Sequence, residues 1–218
     1  MSANNFQENY AFGVEKYRHL LAVLYKHYCY EGRYVFVDQS AFSRRIQREL
    51  KTDTLIQKDA EVSNGVEEKI ASWPAYKQRP HTAFFLETRS CTNKGHESDG
   101  WMVTCQADLL LYAFEIKDLG LVAYLMDFPQ LQQWFWKTYL PHLPPAMEKR
   151  WIMRDENRTE GVLVAIATVI CHIPTECFLL TFEGTYQKLK RDIDIQRLRE
   201  MYLHQKAQAK QAATSSSP

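Results

Sequence analysis

Apolar residues recur along this chain in two rhythms. From Tyr10 to Tyr28, the residues Tyr17, Leu20, Leu21, Val23, Leu24 and Tyr28 fall close to three and four apart. That is the period of a helix with one buried stripe. Ser40 to Leu50 repeats the pattern, with Phe42, Ile46 and Leu50 spaced by four. Elsewhere the runs are short and rich in branched or aromatic residues, as strands are. Arg33–Val37, Thr52–Lys58, Val66–Ser72 and Thr82–Arg89 read this way, as do Leu109–Ile116 and Leu121–Met126. Ser63-Asn64-Gly65 predicts a turn joining the second and third of these, since Asn-Gly accepts positive φ. Lys117-Asp118-Leu119-Gly120 predicts a hairpin turn between the last two. Phe128 to Tyr139 predicts a helix with Pro129 in its first turn, ended by His142-Leu143-Pro144-Pro145. Gly161 to Cys171 is a β-rich run, and Glu183 to Gln211 is polar and helix-favouring.

This order predicts an α/β fold, a central mixed sheet flanked by helices. With 218 residues and no interdomain linker, one domain is expected over 1–211. Its parts are a helical segment 9–50, a sheet core 51–175 and a helical segment 176–211, before a disordered tail 212–218. A net charge of +1 supplies no global field for nucleic acid, so any such binding must come from a local patch. Cys29, Cys91, Cys105, Cys171 and Cys177 are odd in number, widely spaced and lack a CxxC pair. That argues against a disulfide framework and a zinc knuckle, and for reduced, mostly buried thiols in an intracellular setting. No basic segment followed by an apolar run opens the chain, so no secretory signal is expected, and no stretch is apolar enough to span a membrane. The histidines lack HExxH spacing, and there is no GxxxxGK[ST] run or nucleophile elbow. A zinc hydrolase, a nucleotide-driven motor and a serine hydrolase are therefore not expected.

The residues that could carry chemistry lie on the second and third strands. Asp53 opens Asp53-Thr54-Leu55-Ile56, and Gly65-Val66-Glu67-Glu68-Lys69-Ile70 follows. On a strand, Glu67 and Lys69 point one way and Glu68 the other. Asp53 and Glu67 are hard oxygen ligands suited to Mg²⁺ or Mn²⁺, and the main-chain carbonyl of Glu68 could add a third oxygen. Lys69 would then lie near a bound water or phosphate, as metal-assisted phosphodiester hydrolysis requires. The same residues also suit a solvated strand edge. Asp59 and Glu61 compete with Asp53, which is preferred because it opens an apolar strand.

Together with Ile46-Gln47-Arg48, these stretches make the chain resemble the PD-(D/E)XK nuclease superfamily, in particular its uncharacterised phage and bacterial members. The resemblance continues through Phe85-Leu86-Glu87, Ser90, Gly100-Trp101 and Ala107-Asp108-Leu109-Leu110-Leu111-Tyr112. It ends with Tyr124-Leu125-Met126-Asp127 and Leu131-Gln132-Gln133-Trp134-Phe135, covering about residues 45–136. It implies a restriction-endonuclease-like core in the order helix, three strands, helix. It also implies a divalent cation, cleavage of nucleic acid to a 5′-phosphate with DNA favoured over RNA, and a cytoplasmic setting in a bacterium or infected host. Asp53, Glu67 and Lys69 would form the catalytic set, with Asp53, Glu67 and Glu68 at the metal. Related sequences often carry Gly-Ile before the aspartate, where Lys51-Thr52 stands here.

Several accessory residues follow. Glu15 on the first helix could join the metal or simply face solvent. Gln47 could bind a water or phosphate, or be a plain surface residue. Glu87, on a central strand, could orient Lys69. Arg44, Arg48 and Lys51 form a basic stripe that could track a nucleic-acid backbone or be an ordinary charged face. Trp134, Phe135 and Trp136 fit core packing better than base stacking, and surplus aromatics could serve a homodimer face. Two other functions remain open: a catalytically inactive binding or inhibitor protein of phage origin on the same fold, and a structural protein with a charged hairpin.

Overall fold

A computed structural model describes residues 17–28, 33–36, 52–59, 62–71, 82–91, 97–143, 150–154, 157–190 and 204. The first helix, α1, covers residues 17–28. The strands are β1 (Arg33–Phe36), β2 (Thr54–Asp59), β3 (Val62–Ala71), β4 (Ala83–Cys91), β5 (Ser98–Asp99), β6 (Leu109–Ile116), β7 (Gly120–Asp127), β8 (Arg150–Arg154), β9 (Asn157–Ala165), β10 (Thr175–Thr181) and β11 (Tyr186–Leu189). The remaining helices are α2 (Trp101–Thr104), α3 (Phe128–Trp134) and α4 (Ile166–His172). The coarse α/β expectation holds. A seven-stranded sheet runs β1-β2-β3-β6-β7-β10-β11, and its pairs are antiparallel except β3 with β6, which is parallel. A second, antiparallel sheet runs β5-β4-β9-β8.

The sequence of β6, Leu109-Leu110-Leu111-Tyr112-Ala113-Phe114, has no polar alternation because both faces of the large sheet are covered. On one face Leu111, Ala113, Leu121, Ala123, Leu125, Phe178 and Leu180 pack with Tyr17, Leu20, Leu21, Leu24 and Tyr25 of α1. On the other, Leu110, Tyr112, Phe114, Val122 and Tyr124 pack with Phe84 and Leu86 of β4 and Val162 and Val164 of β9. Phe84 is the hub there, with ring centroids 4.9 Å from Tyr112, 5.4 Å from Tyr124 and 5.6 Å from Phe114. The layers are thus helix, sheet, sheet. Where flanking helices were expected, β4 and β9 form most of the second covering layer.

Several boundaries move. Asn64-Gly65 is not the hairpin turn: both residues lie within β3, paired with Ile56 and Leu55, and β2 connects to β3 between Asp59 and Val62. Gly65 is spent on a close approach instead, since a Cβ there would stand 3.0 Å from Thr52 Oγ1. β4, which carries Glu87, belongs to the second sheet rather than the central one. The Gly161–Cys171 run splits into the end of β9 and α4. Residues 186–189 of the expected C-terminal helix form β11, because the edge of β10 offers a free ladder from Cys177 to Leu180. The Phe128–Tyr139 helix is present. Asp127 caps it by accepting the Gln130 N–H at 2.9 Å, and it continues beyond Trp134 as a π-helical turn over Phe135–Tyr139. Phe135 is fully buried, Trp134 stacks on His172, and Trp136 is 37% exposed, so core packing holds for the first and only partly for the other two. Cys105 and Cys177 are buried, whereas Cys171 is exposed. No helix among the described residues is long and apolar enough to cross a membrane. The predicted helix over Ser40–Leu50 lies outside the described residues.

The β6–β7 turn depends on two residues with positive φ, Asp118 at 64° and Gly120 at 148°. A Cβ on Gly120 would lie 1.9 Å from the Leu180 carbonyl oxygen on β10. Gly120→Ala should therefore lower unfolding free energy by roughly 3 kcal/mol. Urea titration measures this, and an unchanged midpoint would contradict the close β7–β10 contact.

Candidate active site

Asp53 continues the β2–β3 ladder one residue before β2, its N–H donating to the Val66 carbonyl at 2.9 Å. Thr54 opposes Val66 in the register, so Asp53 falls beside Glu67 on the same face of the sheet. The Glu68 N–H donates to Asp53 Oδ2 at 2.9 Å and orients that carboxylate. Three further bonds hold this corner. Thr52 Oγ1 donates to the Val66 carbonyl at 2.8 Å. The Gly65 N–H donates to Asp108 Oδ2 at 2.7 Å while the Asp108 N–H returns to the Gly65 carbonyl at 2.9 Å.

Alternation along β3 sends Glu67 and Lys69 toward the second sheet. Lys69 Nζ donates to Glu67 Oε1 as an ion pair. The ammonium also lies 5.6 Å from the ring centroid of Trp101, a cation–π contact. Trp101 and Cys105 sit on and just after α2, which is pinned from above. Gln132 Nε2 on α3 donates to the Met102 and Cys105 carbonyls at 3.1 and 3.2 Å, and Trp136 Nε1 to the Met102 carbonyl at 3.4 Å. Below, Gly100 meets β4 so closely that a Cβ would stand 2.5 Å from the Glu87 carbonyl oxygen. The Glu67 side chain is 10% exposed and that of Lys69 30%, so the pair lies at the rim of the inter-sheet layer, within reach of solvent.

The electrostatics follow from burial and crowding. Burial raises the Glu67 carboxyl above its ordinary range; Lys69 opposes the shift and Asp53 adds to it. Burial pulls Lys69 down, but the charges of Glu67, Asp53 and Glu87 outweigh it and hold the ammonium protonated. Burial and the neighbouring Glu67 push the Cys105 thiol up to about 12, which keeps it protonated at neutral pH.

Asp53, Glu67 and Lys69 are therefore brought together, and Glu87 reaches Lys69 from the second sheet through its charge, its Oε1 accepting from Ser90 Oγ at 2.7 Å. Asp59 is not a competitor. It pairs with Val62 at the far end of β2, about 20 Å along the strand from Asp53 at ~3.3 Å per residue. The Glu68 side chain points to α1, where its Oε1 accepts from Tyr25 Oη and from Thr54 Oγ1, each at 2.6 Å. Only its main chain is on hand for the ligand role expected of it. Glu15, Gln47, Arg44, Arg48, Lys51 and Glu61 lie outside the described residues. Tyr25, Thr52, Thr54, Cys105 and Asp108 had no assigned role in the sequence reading, because each acts through a bond to a residue distant in the chain or on another strand.

Among the described residues no three His, Cys, Asp or Glu side chains form a metal-ligating group. Two adjacent carboxylates suit a hard cation that keeps several waters and takes its remaining oxygens from main chain or substrate, as Mg²⁺ does. Comparison with protein-family models, curated proteins and solved structures returns no match to this chain.

Burial and the nearby Asp53 raise the Glu68 carboxyl from about 4.5 to about 7, against the lowering effect of the Thr54 and Tyr25 hydroxyls. The folded state thus binds more protons than the unfolded state between those values, and stability falls as pH rises through that window. The loss attributable to Glu68 is up to about 3 kcal/mol, fully avoided below pH 4.5 and fully incurred above pH 7. Urea unfolding from pH 4.5 to 8 should show this decline, and Glu68→Gln should flatten it. An equal decline in the variant would assign the pH dependence elsewhere.

Proposed function

We propose that this chain is a metal-dependent nuclease of the PD-(D/E)XK kind, hydrolysing phosphodiester bonds of nucleic acid, DNA in preference to RNA. The observation that carries this reading is the shared face of Asp53, Glu67 and Lys69, a carboxylate pair with a protonated lysine at a solvent-reachable rim. The element order also supports it: α1, the antiparallel β1–β2–β3 meander, then a crossover through α2 to β6, parallel to β3. The crossover additionally carries β4 and β5, which belong to the second sheet.

Asp53 and Glu67 would hold Mg²⁺ or Mn²⁺, with the Glu68 main-chain carbonyl as a third oxygen. The cation supplies charge neutralisation and a bound water of lowered pKa. Lys69 stays protonated among Glu67, Asp53 and Glu87, and places its charge where the phosphate gains negative character in the transition state. The Trp101 ring and Glu67 restrict the ammonium to that place. Net chemistry adds one water: its oxygen bonds to phosphorus, the P–O3′ bond breaks, and the leaving O3′ takes a proton, giving a 3′-hydroxyl and a 5′-phosphate. One observation favours a second reading, a non-catalytic binding or inhibitor protein on this fold. Lys69 closes directly on Glu67, and among the described residues no three metal-ligating side chains gather there.

Incubation with labelled single- and double-stranded DNA and RNA in Mg²⁺, Mn²⁺ or EDTA tests both. Cleavage should require the cation and fall on the order of 10²-fold or more in Glu67→Ala and Lys69→Ala proteins that keep wild-type circular dichroism. No cleavage of any substrate with either metal would sink the nuclease reading, and nucleic-acid binding that survives both substitutions would support the second.

A further inference from the structure

The face of β3 that turns away from the carboxylate pair carries a buried polar knot of its own. Tyr25 Oη, from the last turn of α1, and Thr54 Oγ1, from β2, both donate to the same oxygen of Glu68, each at 2.6 Å. Tyr25 and Thr54 are both fully buried. Glu68 is also the residue whose N–H orients Asp53, at 2.9 Å, and Thr54 is the residue bonded covalently to Asp53. Residues 53–54 and 68 are therefore tied twice, once on each side of the sheet. On the rim side the tie is main chain to carboxylate; on the helix side it is hydroxyl to carboxylate.

We infer that Tyr25 and Thr54 are positioning residues, which fix the Asp53 carboxylate beside Glu67 by holding Glu68 from behind the sheet. The inference rests on the nuclease reading of this site and adds α1 to its working parts. A Glu68 side chain without its two hydroxyl donors can change rotamer, and the peptide that donates to Asp53 turns with it. Two carboxylates that share a cation tolerate little such motion, because ligand groups must stay within a few tenths of an ångström of their positions. Tyr25 also sits in an aromatic nest, with ring centroids 5.8 Å from both Tyr34 and Phe36. Loss of the hydroxyl alone therefore leaves the ring packed, and Tyr25→Phe separates positioning from core packing.

The test uses full-length protein and Mn²⁺ as the probe, read as calorimetric binding and as the Mn²⁺ concentration giving half-maximal cleavage. Tyr25→Phe and Thr54→Val should each raise both values about 5-fold, the effect of losing one hydrogen bond of about 1 kcal/mol. Thr54→Ser, which keeps the hydroxyl, should stay near wild type, as should Tyr34→Phe. A merely structural role would lower the melting temperature of Tyr25→Phe and Thr54→Val without changing Mn²⁺ affinity in the folded proteins, and that result overturns the inference while the nuclease reading stands. A wild-type protein that takes up no Mn²⁺ overturns both.

Discussion

A strand covered on both faces cannot readily leave a charge without a partner, and β3 carries three ionisable residues in a row. Glu67, Glu68 and Lys69 sit between α1 on one side and the second sheet on the other. An unpaired ion there would cost several kcal/mol. Each face answers differently. Toward the second sheet, Glu67 and Lys69 neutralise one another, and Trp101 covers the ammonium. Toward α1, no cation meets Glu68 among the described residues; two hydroxyls do, and the carboxyl keeps its proton up to about pH 7. The placement of α1, of α2 and of the β2 register all serve these two solutions.

The strands were largely legible in the sequence, and so was the carboxylate pair. Leu109–Ile116 and Leu121–Met126 read as strands because strong apolar runs flank a turn that needs positive φ, and the Lys117–Gly120 connection supplies it. The alternation that separates Glu67 and Lys69 from Glu68 needs only the period of a strand, and it survives in three dimensions. Asn64-Gly65 misled because its tolerance of positive φ is only one use of glycine. Here the missing side chain makes room for Thr52, and the turn lies elsewhere. The second sheet was illegible because strand composition does not reveal the partner: Thr82–Arg89 looks as suited to the central sheet as Leu109–Ile116 does. β11 escaped notice because Tyr186–Leu189 is polar enough to look helical and takes strand form from the open edge of β10. Tyr25 looks like any apolar member of a helix stripe, and only its distance to Glu68 gives its hydroxyl a role.

The second sheet does more than seal the core. Its strand β4 lies against Gly100 too closely for any side chain, and so sets the height of α2 above β3. α3 and the π-helical turn after it press α2 from the other side through Gln132 and Trp136. Trp101 and Cys105 are therefore held by two elements outside the β2–β3 hairpin. Glu87, on the same strand that receives Gly100, brings its charge to Lys69 from this direction. Cover and electrostatic support for the lysine are one construction.

The single parallel pairing in the large sheet has a consequence for how the molecule assembles. β2 and β3 are neighbours in the chain, as are β6 and β7, so each hairpin can close quickly over a short loop. Val66 and Leu109, which join the two hairpins, are separated by a crossover that contains β4, β5 and α2. Contacts so distant in sequence form slowly, since chain entropy is lost before they reward it. Asp53, Glu67 and Lys69 thus gather in an early, local event, while Trp101 arrives only when the crossover docks. A chain whose crossover has not yet docked therefore lacks the indole that faces the Lys69 ammonium.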